Sequence, residues 1–292
     1  MTQQNEILEN NKYIPLLNAG FVGLVDHMGD DSSIVQAARV SYGKGTKKIS
    51  EDRGLIRYLV RHSHTTPLEM VELKFHAKMP IFVARQWIRH RTASVNEYSG
   101  RYSEMSEDMF VPELKTIKPQ SANNKQGRAG EFDTANTVEE IQMWIDSVNK
   151  DSQKEYKNLL NTGLAKEMSR GVLSVNNYTE WYWKIDLHNL LHFLKLRMDA
   201  HAQYEIKVFG DAMYELIKPI VPIACEAFED YIFDREDRTY QNYKISKQEL
   251  IALRQYIAED EKAFEFFDSL VGTGKGKIAM FETAGALGNG EK

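Results

Sequence analysis

Residues 71–103 read VELKFHAKMPIFVARQWIRHRTASVNEYSGRYS, and the fold turns on how this stretch changes character along its length. Val71, Leu73, Phe75, Ala77 and Met79 alternate with Glu72, Lys74, His76 and Lys78. That two-residue period predicts a strand with one face buried. Pro80 ends the strand and suits the first turn of a helix, predicted from Ile81 to about His90. The polar stretch from Thr92 to Ser103 reads as a loop.

Working outward, Gly20–Val25 reads as a short strand and Ser33–Tyr42 as a helix, with Asp30, Asp31 and Ser32 available as caps. A second helix starts near Ser50, favoured by Glu51 and Asp52 in its first turn, with Leu55, Ile56, Leu59 and Val60 as its apolar stripe. Residues 104–136 form the expected flexible insertion, because Gln120–Glu131 is polar and without period. Thr137 and Glu140 make a capping box for a helix whose stripe runs Ile141, Trp144, Ile145, Val148, Leu159 and Leu160. A shorter helix covers Leu164–Leu173. The longest helical pattern runs from about Leu187 to Ile217, closed by Pro219 and Pro222.

Farther on, Ser246 with Glu249 makes a capping box, and Ile245 with Leu250 a hydrophobic staple. Gly272–Lys277 (GTGKGK) mimics a phosphate loop, but it lacks the following Ser or Thr and a preceding strand, and reads as a disordered tail. These elements predict an α+β (or α/β) domain over residues 1–235. A helical extension over residues 236–292 follows it.

The 292-residue chain has a net charge of −5 and 42% hydrophobic residues, which suits a protein with a sizeable core and argues against a dedicated nucleic-acid binder. The single cysteine, Cys225, excludes an intramolecular disulfide and a multi-cysteine zinc site. Met1–Asn11 is polar and unlike a signal peptide, and no apolar run approaches the roughly 18 residues of a membrane span. The expected location is the cytoplasm.

Chemistry concentrates in Arg89–Ser103. Arginine presents a planar fork of donors that matches phosphate oxygens, and three in one stretch suggest more than one phosphate. Ser99 and Gly100 add a hydroxyl and close backbone approach. The bland alternative is a solvated basic loop answered by neighbouring acids, and composition alone leaves both open.

The order of residues goes further. The string R-H-R-x-x-S-x-N-E-x-S-x-R-Y, formed by Arg89, His90, Arg91, Ser94, Asn96, Glu97, Ser99, Arg101 and Tyr102, resembles the signature of the flavin-dependent thymidylate synthases. Ala37–Tyr42 (AARVSY), Arg61–Met70 (RHSHTTPLEM), Pro80–Ile88 (PIFVARQWI), Lys166–Arg170 (KEMSR) and Leu196–Glu205 (LRMDAHAQYE) resemble the same family and occur in its order, so the resemblance covers roughly residues 15–230.

The resemblance implies a small, mostly antiparallel sheet flanked by helices, with a long helix at a subunit interface, in a homotetramer whose active sites are shared between subunits. It implies methylation of dUMP to dTMP, with FAD bound, 5,10-methylenetetrahydrofolate as methylene donor and NADPH as reductant. By the same resemblance, Gln86, Trp87, Ile88, Arg89, Glu97, Tyr98, Ser99, Gly100, Arg101, Arg170 and Arg197 meet dUMP. Ser41, His64, Thr66, Arg89, His90, Arg91, Asn96, Glu97, Asp186, His188 and His192 meet FAD. Many relatives carry asparagine at the positions of Asp186 and His192, and some arginine at His188. A carboxylate at Asp186 fits a ribose hydroxyl better than a phosphate.

Methylating uracil at its fifth carbon requires electron density there. Cys225 lies in an apolar stretch with no base near it in sequence, so it reads as a buried small hydrophobe rather than a nucleophile. The electrons must then come from the flavin. Arg197 is the expected catalytic residue, stabilising negative charge that develops on the uracil ring. Two other classes compete: a silent nucleotide-binding module, and a metal-dependent hydrolase built on His62, His64, His188 and His192. The last lacks an H-E-x-x-H pattern, so no metal is expected. Asp199 and His201 read as a helical pair pointing apart. Trp181, Tyr182 and Trp183 read as packing or interface residues.

Overall fold

The computed structural model describes residues 13–40, 52–122, 125–132 and 137–233. Ser41, the helix start near Ser50, the capping box at Ser246 and the Gly272–Lys277 segment lie outside them.

Among the described residues, five strands form one antiparallel sheet: β1 (Tyr13–Leu16), β2 (Gly20–Met28), β3 (Glu72–Pro80), β4 (Ser94–Glu97) and β5 (Tyr178–Asp186), in the order β1-β2-β3-β5-β4. β3 behaves as its alternation predicts, with Leu73, Phe75, Ala77 and Met79 completely buried. Its other face carries charge: Lys74 pairs with Asp26, Lys78 with Asp108, and His76 with Glu180. The hairpin between β1 and β2 turns through Leu17 in the left-handed region (φ 55°). At Gly20 a Cβ would lie 2.8 Å from the Lys78 carbonyl oxygen, so only glycine lets β2 approach β3 there.

Eight helices accompany the sheet among the described residues, and six of them bury side chains in the core on its apolar face. The eight are α1 (Asp31–Val40), α2 (Asp52–Arg61), α3 (Ile81–Trp87), α4 (Val138–Asn161), α5 (Lys166–Ser169), α6 (Leu187–Arg197), α7 (Tyr204–Ile217) and α8 (Pro222–Phe228). Asp30 caps α1 by accepting from the amides of Ser32 and Ser33, and Thr137 with Glu140 forms the expected capping box on α4. The core joins Trp181, Trp183 and Ile185 of β5 to Trp87, Phe193 and Phe209, with Trp87 edge-on to both tryptophans. Trp181 and Trp183 therefore pack, while Tyr182 between them points to the charged face and stacks on His76.

Several expectations change. The pattern read as one helix over residues 187–217 is two, because the chain turns between Arg197 and Tyr204. In that turn Asp199 accepts from the His201 amide at 2.7 Å and also meets its imidazole at 3.0 Å. These two were read as a helical pair pointing apart, and they touch because the backbone there is not helical. The long helix expected at a subunit interface spends most of its apolar residues inside the chain over α6, since Leu187, Leu190, Leu191, Phe193 and Leu194 are buried and Leu196 is exposed. On α4 the expected stripe faces outward at Trp144 and Val148, while Asn149 and Tyr156 are buried. The helix read over Leu164–Leu173 is the single turn α5 followed by a 3-10 turn, Arg170–Val172.

The segment from Glu104 to Phe110, read as part of a flexible insertion, is tied down. Met105 donates to the Tyr156 hydroxyl, Phe110 to the Asn176 carbonyl, and Tyr178 back to the Asp108 carbonyl.

Candidate active site

Pro80 stands at the N-cap of α3 with extended backbone (φ −60°, ψ 145°), so the helix springs directly from the end of β3. In its last turn Trp87 points inward and is completely buried, whereas Gln86 is half-buried and Arg89, just past the C-cap Ile88, is exposed. The dUMP contact expected of Trp87 can therefore come only from its backbone. Just past the helix, the His90 ring sits 4.9 Å from Phe193 and 5.9 Å from His192, both on α6.

Arg197 ends α6, a favourable place for a cation beside the helix's free carbonyls. Its Nε donates to Nε2 of His90 at 3.2 Å, and its guanidinium donates to the Gln86 carbonyl at 3.4 Å. An imidazole nitrogen that accepts a proton donor is unprotonated, so His90 is the neutral tautomer with its proton on Nδ1. Burial, then the charges of Arg197 and His192, push its pKa down to about 4. Burial also lowers the pKa of Arg197, whose partners among the described residues are uncharged.

Beyond His90 the chain enters β4, an edge strand where sequence reading placed a loop. All four of its residues are exposed, so no apolar alternation could mark it. Asn96 faces Tyr182 across the ladder, and the Glu97 carboxylate accepts from the Thr179 hydroxyl at 2.6 Å. The amide of Tyr98 continues the ladder to the Glu180 carbonyl, and its hydroxyl donates to the Glu104 carbonyl. Ser99 Oγ accepts from the Arg101 amide, and Arg101 Nε meets Glu167 at 3.1 Å. A Cβ on Gly100 would lie 2.4 Å from Met105 Sδ and 3.2 Å from Arg170 Cδ, so that glycine lets Arg170 lie against the loop.

The residues named from sequence thus gather in two groups. Gln86, Arg89, His90, Arg197 and His192 surround the junction of α3 and α6. Ser99, Gly100, Arg101 and Arg170 surround the end of β4. Among the described residues, Arg89, Arg91 and Arg170 have no carboxylate within 4 Å, whereas Arg101 has one. The bland reading of a basic loop answered by acids holds for Arg101 alone. Unanswered guanidiniums fit a polyanionic ligand.

The remaining cofactor candidates stand on α6 and beyond α2. Asp186 is the N-cap of α6, with one carboxylate oxygen taking the Asn189 amide at 2.9 Å and the other its side chain at 2.7 Å. His188 is half-buried and His192 exposed on the same helix. His64 and Thr66 are exposed beyond α2, with His64 edge-on to Tyr58. Cys225 is buried, and desolvation pushes its thiol up to about 12. Among the described residues no three His, Cys, Asp or Glu side chains are placed to hold a metal ion, and no helix is long and apolar enough to cross a membrane.

Residues 23–223 match the family model described as thymidylate synthase complementing protein. A flavin-dependent thymidylate synthase of Rickettsia conorii is 48% identical over 275 residues, covering 89% of this chain and 91% of the relative. One from Wolbachia pipientis is 57% identical over 222 residues, covering 75% and 77%. The chain belongs to this family. Among solved structures, the UMP/dUMP methylase PolB of Streptomyces cacaoi bound to 5-Br dUMP superposes with a TM-score of 0.67 at 31% identity, covering 75% of this chain and 98% of PolB.

For a flavin-dependent thymidylate synthase the sequence signature leads to Gln86 and Arg197 but misses what stands behind them. The Gln86 side-chain amide donates to Oε1 of Gln203, and Gln203 Nε2 donates to Glu205 at 2.9 Å. Arg128, from the insertion, donates to the other oxygen of Glu205 at 2.8 Å. Gln203 and Glu205 lie inside a quoted motif, but nothing in the sequence connects them to Arg128.

Proposed function

We propose that this flavin-dependent thymidylate synthase carries out the reductive methylation of dUMP to dTMP. In this reading 5,10-methylenetetrahydrofolate gives the one-carbon unit and becomes tetrahydrofolate, and NADPH is the reductant. The observation that carries the proposal is Arg197: a half-buried guanidinium whose partners are the neutral His90 and a carbonyl. Such a cation keeps its charge available for an anion in a place of reduced dielectric. Uracil that loses its ring proton is such an anion, and it is the form rich in electrons at the fifth carbon.

The chain's residues take the following roles. Arg101 and Arg170, with Ser99 and the Gly100 backbone, hold the dUMP phosphate. Gln86, Arg89 and Arg197 hold its base and sugar, with Glu97 and the backbone of Trp87, Ile88 and Tyr98 closing the site. Arg89, Arg91, His90 and Asn96 face FAD, and the unanswered charges of Arg89 and Arg91 suit its pyrophosphate. His64, Thr66, His188 and His192 line the flavin and folate side. One Asp186 oxygen caps α6 and the other takes the Asn189 side chain, so it acts on the ribose by sharing those lone pairs. Bound flavin supplies the electrons that Cys225 cannot. The proposed assembly is a homotetramer, in which one subunit's arginine loop completes its partner's site.

Colour tests the reading. The protein should purify yellow or turn yellow with FAD, bleach under anaerobic NADPH, and form dTMP once dUMP and methylenetetrahydrofolate are added. Flavin bleaching without dTMP would reduce the chain to an oxidase, and dUMP binding without bleaching to a silent nucleotide-binding module.

A further inference from the structure

We infer that Arg128 and Glu205, through Gln203, fix which end of the Gln86 amide faces the substrate; this rests on Gln86 being a dUMP residue. Glu205 is 1% exposed in the first turn of α7, where its charge meets the positive end of the helix. A buried carboxylate survives only if its oxygens are satisfied, and here Arg128 and Gln203 each donate to one.

The polarity of the chain then follows from donor and acceptor capacity alone. Arginine can only donate, and a carboxylate can only accept. Gln203 must therefore turn its NH2 group towards Glu205. Its carbonyl oxygen is left for Gln86, which must answer with its own NH2. The end of Gln86 that remains for a ligand is its carbonyl oxygen, an acceptor. It selects a donor on the nucleotide: a deoxyribose hydroxyl, or the N3–H of uracil in the bound form before that proton leaves.

One change should invert the whole relay. In Glu205→Gln, Arg128 still demands an oxygen, so the new amide presents NH2 to Gln203. Gln203 flips, Gln86 flips, and a donor now faces the donor on dUMP. The change Gln86→Glu acts at the other end, setting two acceptors against each other at Gln203. Combining the two repairs the relay. Gln203 is then free to donate to residue 86, whose other oxygen still faces the ligand.

The experiment measures flavin content and dUMP dissociation constants by flavin spectral change on the full-length, FAD-loaded protein. We expect E205Q and Q86E each to weaken dUMP binding about tenfold with flavin content unchanged. The double variant should return to within about threefold of wild type, where independent losses would multiply to roughly a hundredfold. A double variant as weak as that product overturns the relay, as does wild-type affinity in E205Q. Should E205Q not accumulate as folded protein, Gln203→Met cuts the relay at an exposed side chain; about tenfold weaker dUMP binding supports the inference and unchanged binding overturns it. A wild-type protein that takes up flavin but never dUMP removes the functional reading instead, and the inference with it.

Discussion

The Nε of Arg197 donates to Nε2 of His90 across 3.2 Å, and that bond exists only while the imidazole is neutral. Burial and the neighbouring charges hold the His90 pKa at about 4, below the usual 6.5. The unfolded chain therefore takes up this proton first. The associated stability is present above about pH 6.5 and is lost as pH falls towards 4. With the ring only partly shielded from water, the loss should be on the order of 1–2 kcal/mol. Melting temperatures at pH 7.5 and 5.0, for wild type and His90→Leu, check this. The wild type should fall further between the two, and parallel falls would show that His90 does not carry the effect.

The second expectation concerns Cys225. It is packed among the apolar residues of α8, with its thiol pushed far above neutral pH by burial, so no thiolate is available to attack a base. Cys225→Ala should keep the turnover number and lower stability by about 1 kcal/mol through the small cavity it leaves. Loss of dTMP formation in a folded, yellow variant would mean that the thiol takes part in the chemistry.

How far the sequence could be read depended on burial. The β3 alternation was legible because one of its faces is completely buried. β4 was not, because an exposed edge strand has no apolar period to display. Glu180, Tyr182 and Lys184 do alternate with Trp181, Trp183 and Ile185 along β5, but three aromatics in a row are as typical of plain packing as of a strand. The break after Arg197 carries neither Gly nor Pro, and its only signal was an Asp199 able to cap a turn. The arginine loop was visible because consecutive residues write its chemistry. The link between Arg128 and Glu205 was not, because folding alone brings those positions together.

Arg101 provides a third test. Its exposed pairing with Glu167 contributes little to stability, so its removal should leave the fold intact. Arg101→Ala should weaken dUMP binding by about 1.5–3 kcal/mol, the worth of one charge-assisted phosphate contact. Deoxyuridine, which lacks the phosphate, should bind the variant as it binds wild type. Titration calorimetry with both ligands decides, and equal losses would place Arg101 away from the phosphate.

Gly100 sets the fourth. A methyl group there meets Met105 Sδ at 2.4 Å and crowds Arg170 at 3.2 Å. The methionine end can swing aside, so Gly100→Ala should fold, but Arg170 must move with the loop. dUMP affinity should drop about tenfold while flavin stays bound, and isothermal titration alongside a flavin spectrum would show both. Unchanged dUMP affinity would take Arg170 out of the phosphate site.

The last prediction concerns assembly, and it follows from the two groups into which the site residues fall. Arg101 and Arg170 lie at the end of β4, while Gln86, His90 and Arg197 lie where α3 meets α6. If one nucleotide needs both groups and two-fold symmetry brings them together across an interface, each site takes Arg101 from one chain and Arg197 from the other. Assayed at dUMP well below the variants' dissociation constants, Arg101→Ala and Arg197→Ala should then each be nearly inactive alone and should complement when mixed. Random exchange makes about half of the dimers mixed, and each mixed dimer holds one site free of both changes beside one that carries both. About a quarter of wild-type activity should return. Native mass spectrometry verifies the exchange. With exchange verified and activity still absent, both groups must serve the nucleotide from within a single chain.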